Sequence, residues 1–438
     1  MAPPTAHSER FFYGWIVLAA CFLITFLASG TMMAFGIFIN PMADDMGWSH
    51  SALSFTYAIS AIVSGLGILG VGTLMHAHSV RTLLLLGTVV QGIGLYATST
   101  VTTVEGFYLW YGFVTSLGRS VFLISTAALI TRWFERRQGF AMGLTMAGNG
   151  LGPFIFSPLV TWVILRWDWQ TAFVMLSVTV SAASVLACLF VRNYPHEMGL
   201  VPFGADRDAA PPVPTAGSKR PTRSVGSVWR DILRMEGFWT LAAINFFCCM
   251  CHSVPLVHIV VFAQHAGLSS FASAWVLALM SLSAVAGRVA WGVFADRHGA
   301  RLTLIFTLFI QGTLVLWLVN AEDPAIFFLY ALFWGFGYGG VNTQYGVVAR
   351  EIYGTRGFGP GYSGQMCFAM VGMAAGGFLA GYLYDISNGY AVSWLISFAA
   401  GLISALLAMD LMTQDQKTRE AATSPAVEAR AAVGTTEA

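Results

Sequence analysis

Apolar runs long enough to cross a bilayer alternate with short polar breaks along nearly the whole chain. A membrane-spanning helix needs about 20 predominantly apolar residues. Twelve runs approach or exceed that length: 12–38, 52–75, 83–100, 106–132, 139–165, 170–191, 238–263, 271–294, 302–319, 326–350, 361–384 and 392–412. Helices are predicted for all of them, because backbone exposed to lipid must satisfy its own hydrogen bonds. The longest polar break, 192–236, has a centre rich in Pro, Ser and Thr and reads as a flexible linker. The polar residues after Gln414 predict a disordered tail. The expected division is a terminus at 1–11, six helices in 12–191, the linker 192–236, six helices in 237–413 and a tail at 414–438.

The two sets of six echo each other. Gly72 to Arg81 matches Gly292 to Arg301 without a gap, with His76 standing where Asp296 stands and Ile68 where Arg288 stands. Arg132 and Gly139-Phe140 find counterparts in Arg350 and Gly357-Phe358. Two similar halves of this kind are the signature of a secondary transporter whose site lies between them. The fold class expected is an all-α integral membrane protein, with twelve transmembrane helices in two pseudo-symmetric six-helix halves.

Composition narrows the picture. Hydrophobic residues make up 56% and charged residues only 10% of the chain, where soluble domains carry about 25% charged residues. A net charge of +1 argues against a nucleic-acid partner. All six cysteines fall in or at the edge of apolar runs and read as packing residues. There is no Walker A lysine, no nucleophile–base pair and no metal-ligand set, so neither an enzyme nor a cofactor is expected. With both termini cytoplasmic, 19 of the 22 Lys and Arg lie on the cytoplasmic side, two lie within the membrane and Arg166 alone lies outside. That orientation obeys the positive-inside rule.

The two intramembrane cations are the candidate chemistry. Arg288 precedes Gly292 and Asp296 at i, i+4, i+8, on one helix face. It lies about two turns, ~12 Å, inside the hydrocarbon. Arg119 stands near the middle of the fourth run. Charged groups at such depth are functional by default, and no Asp or Glu lies near the middle of any run. An anionic substrate is the natural counter-ion, and a carboxylate suits the bidentate guanidinium fork. The structural alternative is that both arginines bond backbone carbonyls. His258 is a candidate to carry a coupling proton or bond the substrate; His252 lies on another face. Tyr338, Asn342 and Tyr345 share a helix face, and Tyr338, Asn342, Gln365 and Asn149 are further candidates to line the site. Tyr57, Tyr111 and Trp334 read as packing.

Gly287-Arg-x-x-x-Gly-x-x-x-Asp-Arg-x-Gly-x-Arg301 resembles the cytoplasmic loop motif of the major facilitator superfamily. Tyr13-Gly-Trp15, Arg132-Trp-Phe134, Arg137-Gln-Gly-Phe-Ala141, Pro195-His-Glu-Met-Gly-Leu200, Val257-His258 and Gly381-Tyr-Leu-Tyr-Asp385 add a resemblance to its bacterial monocarboxylate-transporter-like branch, related to oxalate/formate exchangers. The resemblance spans roughly residues 11 to 412. It implies a substrate-binding arginine at Arg288 and a gate built from Asp296, Arg297, Arg301, His76 and Arg81, in which Asp296 biases the outward-open state. The animal monocarboxylate transporters carry an Asp one turn before this arginine and a Lys in the first helix. Here Ala284 replaces the Asp and the first helix has no Lys. The expectation is a monomeric, inner-membrane secondary carrier for a small organic acid, most simply a monocarboxylate, working by proton symport or anion exchange with the lipid bilayer as its other partner. Efflux of larger amphipathic compounds competes with it, and so does a non-transporting membrane sensor.

Overall fold

The computed structural model describes residues 12–205, 225–321 and 323–422. Twelve helices within them are long and apolar enough to span a membrane. These are α1 Gly14–Met46, α2 His50–Val71, α3 Val80–Thr98, α4 Val104–Trp133, α5 Phe140–Arg166, α6 Trp169–Phe190, α7 Glu236–His265, α8 Ser270–His298, α9 Ala300–Leu318, α10 Pro324–Gly354, α11 Gly361–Ser387 and α12 Ala391–Thr413. The end where α1 begins and α12 finishes is called proximal below, and the other end distal. Several helices start at a hydroxyl or carboxylate that accepts a free backbone N–H. Ser49, Ser79, Thr103, Asp168, Ser269 and Asp323 do so for α2, α3, α4, α6, α8 and α10.

The two halves repeat one packing device. On α5, Gly148 and Gly152 lie against the backbone of α1, where an added Cβ would come within 2.9 Å of the Phe22 carbonyl and 2.2 Å of that of Phe26. On α11, Gly372 and Gly376 lie the same way on α7, 2.2 Å from the carbonyls of Phe246 and Met250. Helices in lipid pack through such small residues because close backbone approach gains dispersion contacts that the hydrophobic effect does not supply there. The halves meet each other along α2 with α11, α5 with α8, and the end of α1 with α7.

The buried core is divided unequally along the membrane normal. At the distal end one aromatic-rich cluster includes residues of both halves, among them Phe35, Tyr57, Tyr111, Phe173, Val257, Tyr330, Trp334, Tyr390 and Trp394. At the proximal end there are two clusters. One holds Val17, Trp133, Phe134 and Cys188, and the other Phe238, Leu304, Val348 and Tyr353. The halves therefore share a core distally and part proximally.

Four boundaries differ from the sequence expectation. The helix predicted to stop at residue 38 continues through Pro41 to Met46, with an interruption at Ala34. Burial of Phe35, Ile37, Phe38, Ile39 and Met42 outweighs the polar stop signal at Asn40-Pro41. Asp45 beyond it accepts hydrogen bonds from Trp169 Nε1 at 2.8 Å and Gln170 Nε2 at 3.3 Å. Residues 351–360, expected as a loop, are helical apart from Gly354, whose φ of 63° breaks the rod between α10 and α11. The last helix runs on to Ala422 into the predicted tail. The linker is anchored at both ends. Phe203 exchanges backbone hydrogen bonds with Trp133 and Arg136, and a short helix, Val225–Leu233, buries Ile232 against the carboxyl-terminal half. Its predicted flexible centre falls largely on residues 206–224, outside the described residues.

Candidate functional site

Arg119 is positioned by an irregularity in α4. Residues Tyr108–Thr115 form a π-helical stretch ahead of the regular helix Ser116–Trp133. Hydroxyls fill the widened turn: Thr115 Oγ1 donates to the Trp110 carbonyl at 2.8 Å and Ser116 Oγ to that of Tyr111 at 3.3 Å. One turn later Arg119, 8% exposed, points into a cradle on α2. Its Nη2 donates to Ser60 Oγ at 2.8 Å and Ser64 Oγ at 3.2 Å. Ser60 and Ser64 lie one turn apart, so both hydroxyls face α4. Tyr111, expected as packing, is buried in the distal core cluster against Phe35, Phe107 and Phe173.

Arg288 is held across the seam between the halves. Gly150 lets α5 approach α8, since a Cβ there would come 2.9 Å from the Ser281 carbonyl. At this crossing Arg288 Nη1 donates to the Met146 carbonyl of α5 at 3.0 Å. Three residues on, the Asn149 carbonyl lacks its helical partner, because Pro153 has no N–H to give it.

Both arginines line one cavity of about 240 Å³, enclosed by α1, α2, α4, α5, α7, α8, α10 and α11. Thr25, Ser29, Ser64, Ser120, Asn149, Ser281 and Tyr338 supply its other polar groups. Met32, Met33, Ile68, Pro153, Leu256 and Met370 supply apolar wall, and no carboxylate is among the lining residues. Thr25 Oγ1 is buried and makes no hydrogen bond among the described residues. Tyr338 stacks on Trp334 at 5.2 Å and meets the buried His252 ring edge-on at 5.1 Å. Two cations without a carboxylate in a low-dielectric chamber favour an anion between them.

The sequence candidates divide. Arg119, Arg288, Asn149 and Tyr338 come together at this cavity. His258 does not line it. It is fully buried toward the distal end, with Nδ1 at 3.1 Å from the Tyr390 hydroxyl and Nε2 at 2.9 Å from the Gly377 carbonyl. Both ring nitrogens are engaged there, which corrects its expected place beside the substrate. Gln365 is likewise absent from the lining and wholly buried. The side chains of Asn342 and His76 lie outside the described residues. Tyr345 does not line the cavity, and its hydroxyl donates to the Ile244 carbonyl of α7, the helix that Tyr338 also meets through His252. Of the gate residues, Asp296 and Arg297 are exposed at the proximal rim, and Arg301 Nε donates to Glu351 at 2.9 Å within its own half. Arg81 starts α3, where its backbone N–H donates to Asn193. Thr25, Ala28, Ser29 and Met32 were missed by sequence reasoning. Their i, i+3, i+4, i+7 spacing on α1 was the available signal.

The family model of the Major Facilitator Superfamily matches residues 21–359 and 254–434. Monocarboxylate transporter 13 of Bos taurus is 27% identical over 395 residues, covering 88% of this chain and 86% of the relative. Monocarboxylate transporter 4 of Mus musculus is 24% identical, over 90% of this chain and 82% of its own length. Among solved structures, the nucleoside transporter NupG superposes with a TM-score of 0.73 at 12% identity, covering 91% of this chain and 99% of that one. A bacterial homolog to the human lysosomal transporter Spinster, inward-facing and unoccupied, gives 0.70 at 13% identity, over 92% and 97%.

Proposed function

Since the chain belongs to the major facilitator superfamily and is a multi-pass membrane transporter, we propose that its cargo is a small organic anion, most simply a monocarboxylate. The carrying observation is the shared cavity, in which two guanidiniums meet no carboxylate. In this reading Arg288 anchors the carboxylate with its planar fork, while the methionine-rich wall takes the apolar body. Arg119, already satisfied by hydroxyls, contributes field more than contact. The names of the curated relatives support the same cargo class.

We place the proximal end in the cytoplasm of an inner (plasma) membrane, on the weight of 19 basic residues against one. The distal seal is then external, and the cavity belongs to a state with its cytoplasmic side parted. Coupling by proton symport or by exchange for a second anion fits the site equally, and the carrier works as a monomer. A cysteine introduced at Ser218 in the linker should escape impermeant reagents added outside intact cells; efficient labelling overturns the orientation.

The cargo is tested on purified protein with a thermal-shift panel of organic acids, followed by uptake of each hit. A ligand at about 100 times its Kd adds about 2.7 kcal/mol to stability. Stabilisation by carboxylates but not by the matching amides or alcohols is the expected result. Shifts produced equally by the neutral analogues would overturn the proposal.

A further inference from the structure

The distal seam holds a small polar cavity that the anion site does not use. It measures about 140 Å³ and lies between α1 and α5 of one half and α7 and α8 of the other. Asp44 of α1, Thr161 of α5 and Ser270 of α8 bring it a carboxylate and two hydroxyls. On α1, Pro41 has no N–H to give the Ile37 carbonyl, and both residues line the cavity. Asn40 and Gln264 line it too and are tied to each other across the seam. The other four oxygen donors stand whichever way those two amides are set.

Thr161 shows that the cavity is built for a ligand. Its side chain is 2% exposed, and its Oγ1 makes no hydrogen bond among the described residues. Buried threonines elsewhere in these helices donate to the carbonyl one turn back, as Thr98, Thr126 and Thr145 do. A buried hydroxyl left without a partner destabilises the fold.

Electrostatics set the sign of the ligand. Asp44 is the only ionisable side chain among the lining residues, and it is exposed at the distal face. The helices α1, α5 and α7 finish here and α8 begins, so three negative helix ends meet one positive end. Arg166, beside Leu165 in the chain, lies over the Trp167 ring. Oxygen donors without sulfur or imidazole suit a hard cation, and a single carboxylate matches a single positive charge. The cavity holds several water volumes of about 30 Å³ each. An ion there keeps part of its hydration, which lowers the desolvation cost of a buried charge.

We propose that this cavity binds a small monovalent cation, of the size of sodium, which ties the two halves together at the distal end. Its ligands come from both halves, so parting them disperses the site. Asp385 of α11 already joins the same seam by accepting the backbone N–H groups of His50 and Ser51 on α2. An ion that binds only the closed form adds to that closure by mass action. The site is separate from the anion cavity and stands whatever the cargo.

The test uses purified protein in lipid nanodiscs with no organic acid present. It is run at about pH 8, where the imidazoles of His50 and His265 near Asp44 are neutral. N-methyl-D-glucamine chloride replaces sodium chloride at constant ionic strength. Radioactive sodium should bind saturably, one ion per protein. Asp44→Asn should lose that binding. Thr161→Val keeps the shape without the hydroxyl and should bind about tenfold more weakly, the effect of one lost ligand; it carries the test should Asp44→Asn fail to fold. Thr145→Val, at a threonine bonded within its own helix, should bind as wild type does. Nitroxides on ketone-bearing residues at Thr102 and Asn320, in distal loops of opposite halves, report closure. Sodium should move their distances toward the closed form in the wild-type sequence and not in Asp44→Asn. Absence of saturable sodium binding, wild-type affinity in both Asp44→Asn and Thr161→Val, tighter binding of calcium than of sodium, or sodium binding without closure would each overturn the proposal.

Discussion

The amino-terminal half surrounds its buried guanidinium with its own hydroxyls, whereas the carboxyl-terminal half sends its guanidinium across the seam. Arg119 is held by Ser60 and Ser64, both within its half. Arg288 reaches a backbone carbonyl of the opposite half at the α5–α8 crossing. The halves share a packing plan, so the contrast separates what the fold requires from what the site requires. A cation satisfied inside one rigid bundle changes little when the bundles move. A cation whose partner lies on the other bundle is exposed to every rearrangement of the seam, which suits a group that must take and release an anion.

The largest effect tests the similarity. Gly152→Leu and Gly376→Leu each drive a side chain into the backbone of the facing helix, at 2.2 Å in both cases. Both should abolish recovery of monodisperse protein on size exclusion. A clear difference between them would show that the α1–α5 and α7–α11 contacts are not equivalent.

Next comes the cation at the seam. Arg288→Ala should lower carboxylate affinity by about tenfold to over a hundredfold, from the loss of about 1.5–3 kcal/mol of charged hydrogen bonding. The protein should still fold, since removing a buried cation relieves its desolvation. Arg288→Lys keeps the charge without the fork and should also bind poorly. Calorimetry on the folded variants decides, and wild-type affinity in Arg288→Ala would make this arginine structural.

Arg119→Ala should weaken a monoacid less than Arg288→Ala does, and a diacid able to reach both cations more than a monoacid. Equal losses for the two arginine variants with a monoacid would erase the contrast. The smallest effect belongs to His258→Gln. Because its ring is tied to Tyr390 and Gly377 away from the cavity, anion affinity should stay within about twofold of wild type, on the scale of a fraction of 1.4 kcal/mol. A flattened pH dependence of binding would instead return His258 to the site.

Much of this was legible in the chain. The twelve helices follow from runs of apolar residues, because lipid allows exposed backbone only in self-satisfied form. The internal repeat revealed two halves, and the depth of Arg288 and Arg119 followed from counting residues along a helix of known rise. Asn149 and Tyr338 were reachable as polar residues within apolar spans. The errors were also local. Asn40-Pro41 reads as a stop by every short-range rule, and the helix continues because its apolar face has a partner in another part of the chain.

Only the tertiary structure decided which polar groups meet. The Ser60 and Ser64 cradle lies 59 and 55 residues from Arg119, Met146 lies 142 from Arg288, and His50 lies 335 from Asp385. No periodicity within one helix records such distances. The sequence by itself determined that helices form and where along each helix a charge falls, since those depend on neighbours along the chain. Which face of each helix meets which neighbour depends on side-chain packing summed over the whole bundle. That sum set Arg119 in its own half, carried Arg288 across the seam and drew His258 away from the cavity.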